Sequence, residues 1–140
     1  MKRVLLDTNI VLDFALKREE YYKNAQTIFK EITNNNIQGY ITASMATDIF
    51  YLLQKAKGKI FALNTLADLV IILDILAVYS EDVHSALHSG WSDFEDALQA
   101  RVAVRNGMDA IITRNNKDYK KLQDIDIVSP LDFPQYLESL

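Results

Sequence analysis

The stretch Val4-Leu5-Leu6-Asp7-Thr8-Asn9-Ile10-Val11-Leu12-Asp13 decides the fold. An apolar run stops at an aspartate, two small polar residues follow, and a new apolar pattern begins. A strand covered on both faces has this kind of continuous apolar run. Asp, Thr and Asn are the side chains that take up the free amides at a helix start. The stretch therefore predicts a buried strand from Arg3 to Leu6. That strand delivers the Asp7 carboxylate to the top of a sheet and turns into a short helix over residues 9–17.

Further along the chain the same alternation recurs. Tyr22, Ala25, Ile28, Phe29 and Ile32 recur at helical spacing, and the turn signal Asn34-Asn35-Asn36 ends that helix. Gln38 to Thr42 reads as a second strand, with Thr42 or Ser44 capping a helix whose stripe is Met45, Ile49, Leu52, Leu53 and Ala56. A helix over residues 60–73, a strand from Ile75 to Val78 and a short helix over residues 81–89 follow. Ser92-Asp93-Phe94-Glu95 fits a capping box with Ser92 at the cap. The helix it opens ends at Asn106-Gly107. Asp109 to Thr113 and Ile125 to Val128 read as the last strands, separated by a short helix near residues 117–122. Ser129-Pro130 reads as the cap and first turn of a C-terminal helix. Strands alternating with helices, and no hairpin signal, predict an α/β fold: a three-layer α/β/α sandwich around a parallel sheet of about five strands. One domain over residues 1–140 is expected.

Composition narrows the chemistry. The 140 residues contain no cysteine and two histidines, so thiolate sites are excluded and a histidine-rich zinc site is not expected. His84 and His88 share a helix face but lack the glutamate of the zinc-protease helix motif. The apolar region from Leu66 to Tyr79 is broken by Asp68 and Asp74 and is too short to span a membrane. The N-terminus has no secretory leader pattern, so a cytoplasmic location is expected. A net charge of −4 argues against a simple electrostatic nucleic-acid binder, but not against an enzyme that meets phosphate through metal ions.

In a parallel α/β sheet, ligands bind beyond the carboxyl ends of the strands. Asp7, Asp48, Asp93, Asp96, Thr113, Asn115 and Asp118 should all fall at that edge. Asp93 and Asp96 are three apart and share a helix face. Converging carboxylates repel unless a cation neutralises them, and an oxygen-only donor set selects Mg²⁺ or Mn²⁺. Such sites hydrolyse phosphodiesters with metal-activated water and need no side-chain nucleophile.

"VLLDTNIVLD" (residues 4–13) and "DFEDALQARVAVRNGMDAIITRNNKDY" (residues 93–119) resemble the PIN-domain ribonucleases, especially the VapC-type toxins of bacterial toxin–antitoxin pairs. The resemblance covers nearly the whole chain and implies a Mg²⁺-dependent endoribonuclease. It implies Asp7 and Asp96 as metal ligands, Asp93 as a further ligand, and Asn115 or Asp118 in the fourth acidic position. Asp48 stands where the family usually has a glutamate, and Asn9 stands where a polar residue orients the first aspartate. Thr8 and Thr113 are expected to fix the backbone beside the site, and Asp13 to be an exposed bystander. Implied partners are RNA, a cognate antitoxin that docks on the early helices, and a second copy of the chain. Lys55, Lys57 and Lys59 form a basic run that could touch RNA phosphate or simply be a solvated helix end. A HAD-like phosphatase would need an aspartate at Asn9, and a receiver domain an aspartate after the third strand, where Val78-Tyr79-Ser80 stand. The remaining alternative is a PIN domain that only binds RNA or protein.

Overall fold

A computed structural model describes residues 1–119, 122 and 124–139, apart from the side chain of residue 118. Helix and strand alternate as β1 (Lys2–Leu6), α1 (Thr8–Ala15), α2 (Tyr22–Thr33), β2 (Ile37–Thr42), α3 (Ala43–Lys57), α4 (Lys59–Ile72), β3 (Asp74–Leu76), α5 (Ser80–Leu87) and α6 (Phe94–Arg105). They continue as β4 (Ala110–Ile112), a 3-10 turn (Asn116–Tyr119), β5 (Asp126–Val128) and α7 (Phe133–Glu138). The five strands form one parallel sheet in the order β3-β2-β1-β4-β5.

β1 is central, and its last three residues are apolar as a strand covered on both faces requires. Val4, Leu5 and Leu6 are wholly buried. Leu6 pairs with Ile112 of β4, and Leu5 with Tyr40 of β2. From β1 the chain steps twice in one direction, to β2 and β3, then crosses back to β4 and β5. With right-handed crossovers this puts α1 to α4 on one face and α5 and α6 on the other. The contacts agree: α1 packs on α2 and α3, α3 packs on α4, and α5 packs on α6. The α/β/α sandwich is thus as expected, and the strand order reverses between β1 and β4. Among the described residues no helix is long and apolar enough to cross a membrane.

Particular contacts fix each layer. The Phe14 ring stacks on Phe29 with centroids 4.0 Å apart, which seats α1 on α2. On the opposite face Asp82, fully buried, accepts from Arg105 Nε at 2.9 Å and Nη2 at 2.8 Å, and from the Tyr79 amide at 2.9 Å. Hydrogen bonding to Arg105 holds the Asp82 carboxyl below its ordinary range. Arg105 also donates to the Ala77 carbonyl at 2.7 Å. These bonds draw residues 77–79 out of the sheet, so β3 ends at Leu76 and not at Val78 as expected.

Two expected caps are also corrected. α6 is capped by Asp93, not Ser92, because Asp93 Oδ1 accepts the Asp96 amide at 2.9 Å. Ser129-Pro130 opens a turn, in which Ser129 Oγ accepts the Asp132 amide at 3.1 Å; α7 starts later, after Asp132. The expected helix near residues 117–122 is the 3-10 turn, and its further residues 120 and 121 lie outside the described ones.

Gly39 of β2 lies directly beneath Ile32 of α2 and Leu73. A Cβ there would lie 2.5 Å from Ile32 Cδ1 and 2.9 Å from Leu73 Cδ2, and both side chains are themselves buried. Gly39→Ala is expected to lower stability by about 1–3 kcal/mol in denaturant unfolding. An unchanged midpoint would mean that Ile32 and Leu73 have room to give way.

Candidate active site

The strand reversal between β1 and β4 opens a cleft of about 360 Å³ lined by Asp7, Thr8, Asn9, Asp48, Tyr51, Leu52, Asp93, Glu95, Asp96, Gln99 and Asn115. Asp7 forms its floor. As the N-cap of α1 it accepts the Thr8 amide on Oδ1 at 2.7 Å. The fully buried Thr113, just past β4, donates its hydroxyl to Asp7 Oδ2 at 2.8 Å. That hydroxyl oxygen in turn accepts the Asn115 amide at 3.0 Å, which turns Asn115 into the cleft. Thr8 thus contributes its backbone and Thr113 its side chain. Asn9 lines the cleft, but its Oδ1 accepts from Arg18 at 3.2 Å, and Asp7 is oriented by Thr8 and Thr113.

α6 supplies the acidic wall. Asp93, the cap, and Asp96, one turn on, both face the cleft as their spacing predicts. Glu95 lies between them and also lines it. Sequence reasoning missed Glu95 because a cap at Ser92 would have turned it back toward the helix start. Behind Asp96, the buried Tyr119 places its hydroxyl 3.1 Å from Asp96 Oδ1 and 3.0 Å from the Gln99 side chain. The hydroxyl carries one hydrogen. Asp96 Oδ1 and Gln99 Oε1 are both acceptors, so the two oxygens share that hydrogen. Trp91 meets the Tyr119 ring edge-on, with centroids 5.7 Å apart. Tyr119 was not among the expected site residues. Its only sequence signal is its position at the end of the second motif.

α3 closes the other side with Asp48, Tyr51 and Leu52. Thr42 caps this helix by accepting the Met45 amide at 3.2 Å, and Asp48 lies within two turns of that start. Lys55 and Lys57 lie at the far end of this helix and Lys59 opens α4. Lys57 is nine residues beyond Asp48, about 13 Å along the axis at the usual helical rise, and its ammonium sits over Phe61.

Asp13 is the clearest correction. It was expected to be exposed and is 1% exposed. Its carboxylate accepts from Arg114 Nε at 2.9 Å, Arg114 Nη2 at 3.3 Å and Arg18 Nη1 at 3.2 Å. The Asp118 side chain lies outside the described residues.

The electrostatics mark the cleft as short of positive charge. Burial is the main cause holding the Asp7 carboxyl above its ordinary range; Asp93 adds to it, while the Thr113 and Thr8 hydrogen bonds and Arg114 oppose it. Glu95 is raised by burial, then by Asp48, Asp93 and Asp7. Burial and the charges of Asp7 and Asp96 push the Tyr119 phenol far up, so it stays protonated as a donor to Asp96. Every polar donor atom that a cation could find here is an oxygen, apart from amide nitrogens. Among the described residues no three acidic or histidine side chains are close enough to enclose an ion by themselves. The arrangement fits a hard cation that keeps part of its water and takes one or two carboxylates, as Mg²⁺ does.

A family profile for the PIN domain matches residues 3–117. Among solved structures, a chain of the DNA-bound VapBC from Salmonella typhimurium superposes with a TM-score of 0.70 at 17% identity, covering 93% of this chain and 99% of that one. VapBC2 from Rickettsia felis bound to a promoter DNA fragment gives 0.66 at 20% identity, covering 91% and 98%. Mycobacterium tuberculosis VapC20, a sarcin-ricin loop cleaving toxin, gives 0.67 at 12% identity, covering 87% and 98%. At these identities the likeness to solved structures establishes the fold alone. A search of curated proteins finds no match. The profile match, spanning residues 3–117 of 140, places the chain in the PIN-domain family.

Proposed function

We propose that the chain is a divalent-metal-dependent endoribonuclease, the toxin of a toxin–antitoxin pair. The observation that carries this is the single cleft into which Asp7, Asp48, Asp93, Glu95 and Asp96 converge from three separate elements. The structural likeness to VapBC complexes and to an RNA-cleaving toxin supports the same reading.

One or two of the carboxylates Asp7, Asp93 and Asp96 would hold Mg²⁺ or Mn²⁺ directly, and the remaining one, with Asp48, Glu95 and Asn115, would reach it through the ion's own water. When bound, the ion supplies Lewis acidity toward water and toward the phosphodiester. This chain's residues do the positioning. Thr113 and the Thr8 amide fix both oxygens of Asp7, and Tyr119 fixes one oxygen of Asp96. Asp118 remains a candidate for the fourth acid. A protein partner such as an antitoxin suits the apolar side chains exposed on α4, where Ile60 and Ile71 are about four-fifths exposed. The same face would serve a homodimer.

The direct test is cleavage of cellular RNA. Wild type is expected to cut with Mg²⁺ and not with EDTA, and Asp7→Asn to lose at least about a hundredfold in rate. Equal rates for the two proteins with Mg²⁺ present would end the nuclease reading.

The supports of the ligands give a second expectation. Thr113→Val and Tyr119→Phe should each weaken Mn²⁺ binding by about 10–100-fold, read by calorimetry, while melting stays cooperative. Wild-type affinity in both variants would assign the holding of these carboxylates elsewhere.

A third expectation concerns pH. The folded-state pKa of Asp7 lies above its ordinary value, so its contribution to stability is complete at low pH. It is lost as pH rises through the folded value. Metal-free Asp7→Asn, which keeps a capping side chain, should therefore melt higher than wild type at neutral pH. The gap should close on acidification to the ordinary carboxylate range. A variant that melts lower than wild type at neutral pH would show that the charged carboxylate stabilises the apo protein.

A further inference from the structure

Asp13, Arg18 and Arg114 carry two positive charges and one negative. Asp13 lies on the buried face of α1, so it stabilises the guanidiniums without opposing them at the surface. The two arginine side chains keep 35% and 29% of their surface exposed. The Arg114 guanidinium carbon sits over the Tyr21 ring, 3.7 Å from its centroid, and two bonds to Asp13 hold its fork. Its Nε and Nη2 are used on Asp13; among the described residues its Nη1 makes no hydrogen bond. Among the described residues Arg18 uses Nη1 on both Asp13 and Asn9, and its Nε and Nη2 make no hydrogen bond. Each arginine is tied to the cleft mouth. Arg18 bonds Asn9, and Arg114 sits in the chain between Thr113 and Asn115.

We propose that Arg18 and Arg114, clamped on the one carboxylate of Asp13, form an anchor for a backbone phosphate of the RNA next to the bond that is cut. The proposal rests on the nuclease reading above. A chain of net charge −4 with an acidic cleft repels RNA everywhere except where positive charge is held. A bound cation answers the cleft's own acids and the phosphate undergoing reaction; the flanking strand needs a separate contact. A fixed guanidinium fork with free N–H groups matches a phosphate's oxygens in geometry as well as charge. Arg114 also acts on Asp7 through space, which puts this arginine within electrostatic range of the cleft floor.

The test uses Asp7→Asn as a non-cutting parent and a labelled single-stranded RNA oligonucleotide, with the Kd read over a range of salt. Adding Arg18→Gln should weaken binding and lower the slope of log Kd against log salt by about 0.7, the loss of one phosphate contact. Arg18→Lys keeps the charge and should keep the slope. A second readout needs no variant at the anchor: the arginine Nε–Hε resonances of the parent should move on adding RNA. An unchanged slope with Arg18→Gln, or unmoved resonances, overturns the anchor. Cleavage by wild type in Mg²⁺ is followed separately, so a failed nuclease reading is seen as lost cleavage and a failed anchor as an unchanged slope.

Discussion

The hydrogen bond from Thr113 to Asp7 ties the ends of β1 and β4 together at the point where the strand order reverses. The cleft depends on it. A carboxylate buried to this degree would be costly without partners. Here one oxygen takes an amide and the other a buried hydroxyl, each charge-assisted bond contributing about 1.5–3 kcal/mol. One donor lies at the start of α1 and the other just past β4. Burial still prevails, and the group remains a stronger base than an ordinary aspartate. The fold thus holds a carboxylate in a strained electrostatic state that a cation would relieve, as is common where function and stability compete.

Much of this was legible in the sequence, for identifiable reasons. Asp7 could be placed because the apolar run Val4 to Leu6 and the capping residues after it are both local signals. Asp48, Asp93 and Asp96 followed from their distance to a strand end. The failures share a cause as well. Ser92 and Asp93 are both good caps, each with an acid three residues on, and local pattern cannot choose between them. The one-residue shift decides whether Glu95 turns back or faces the cleft. β3 was read too long because its end is set by Arg105, almost thirty residues away. Ser129 was read as a helix cap because a serine–proline pair opens a turn and a helix by the same hydrogen bond.

Asp13 failed for a deeper reason. It breaks the apolar stripe of α1, and such positions are normally solvated. Its partner Arg114 is 101 residues away, joined only when β4 pairs with β1. A buried acid of this kind is invisible until the sheet exists. Asp82 is similar, yet the two clusters differ in what they leave over. Arg105 uses its guanidinium on Asp82 and Ala77 and covers Tyr79, so α5 is locked to α6. Arg18 and Arg114 retain donors beside the cleft.

That difference bears on how an acidic protein could handle a polyanion. Every carboxylate that helps to hold a cation also repels the strand on either side of it. Adding lysines around the cleft would ease the repulsion but would pair with the ligands themselves, and flexible ammoniums could reach them. Two guanidiniums held by a buried acid avoid this. Asp13 holds both forks and the Tyr21 ring backs that of Arg114, while the bond from Arg18 to Asn9 ties one of them to the mouth. Positive and negative charge can then stand side by side without cancelling, because each is held by its own hydrogen bonds in a fixed place.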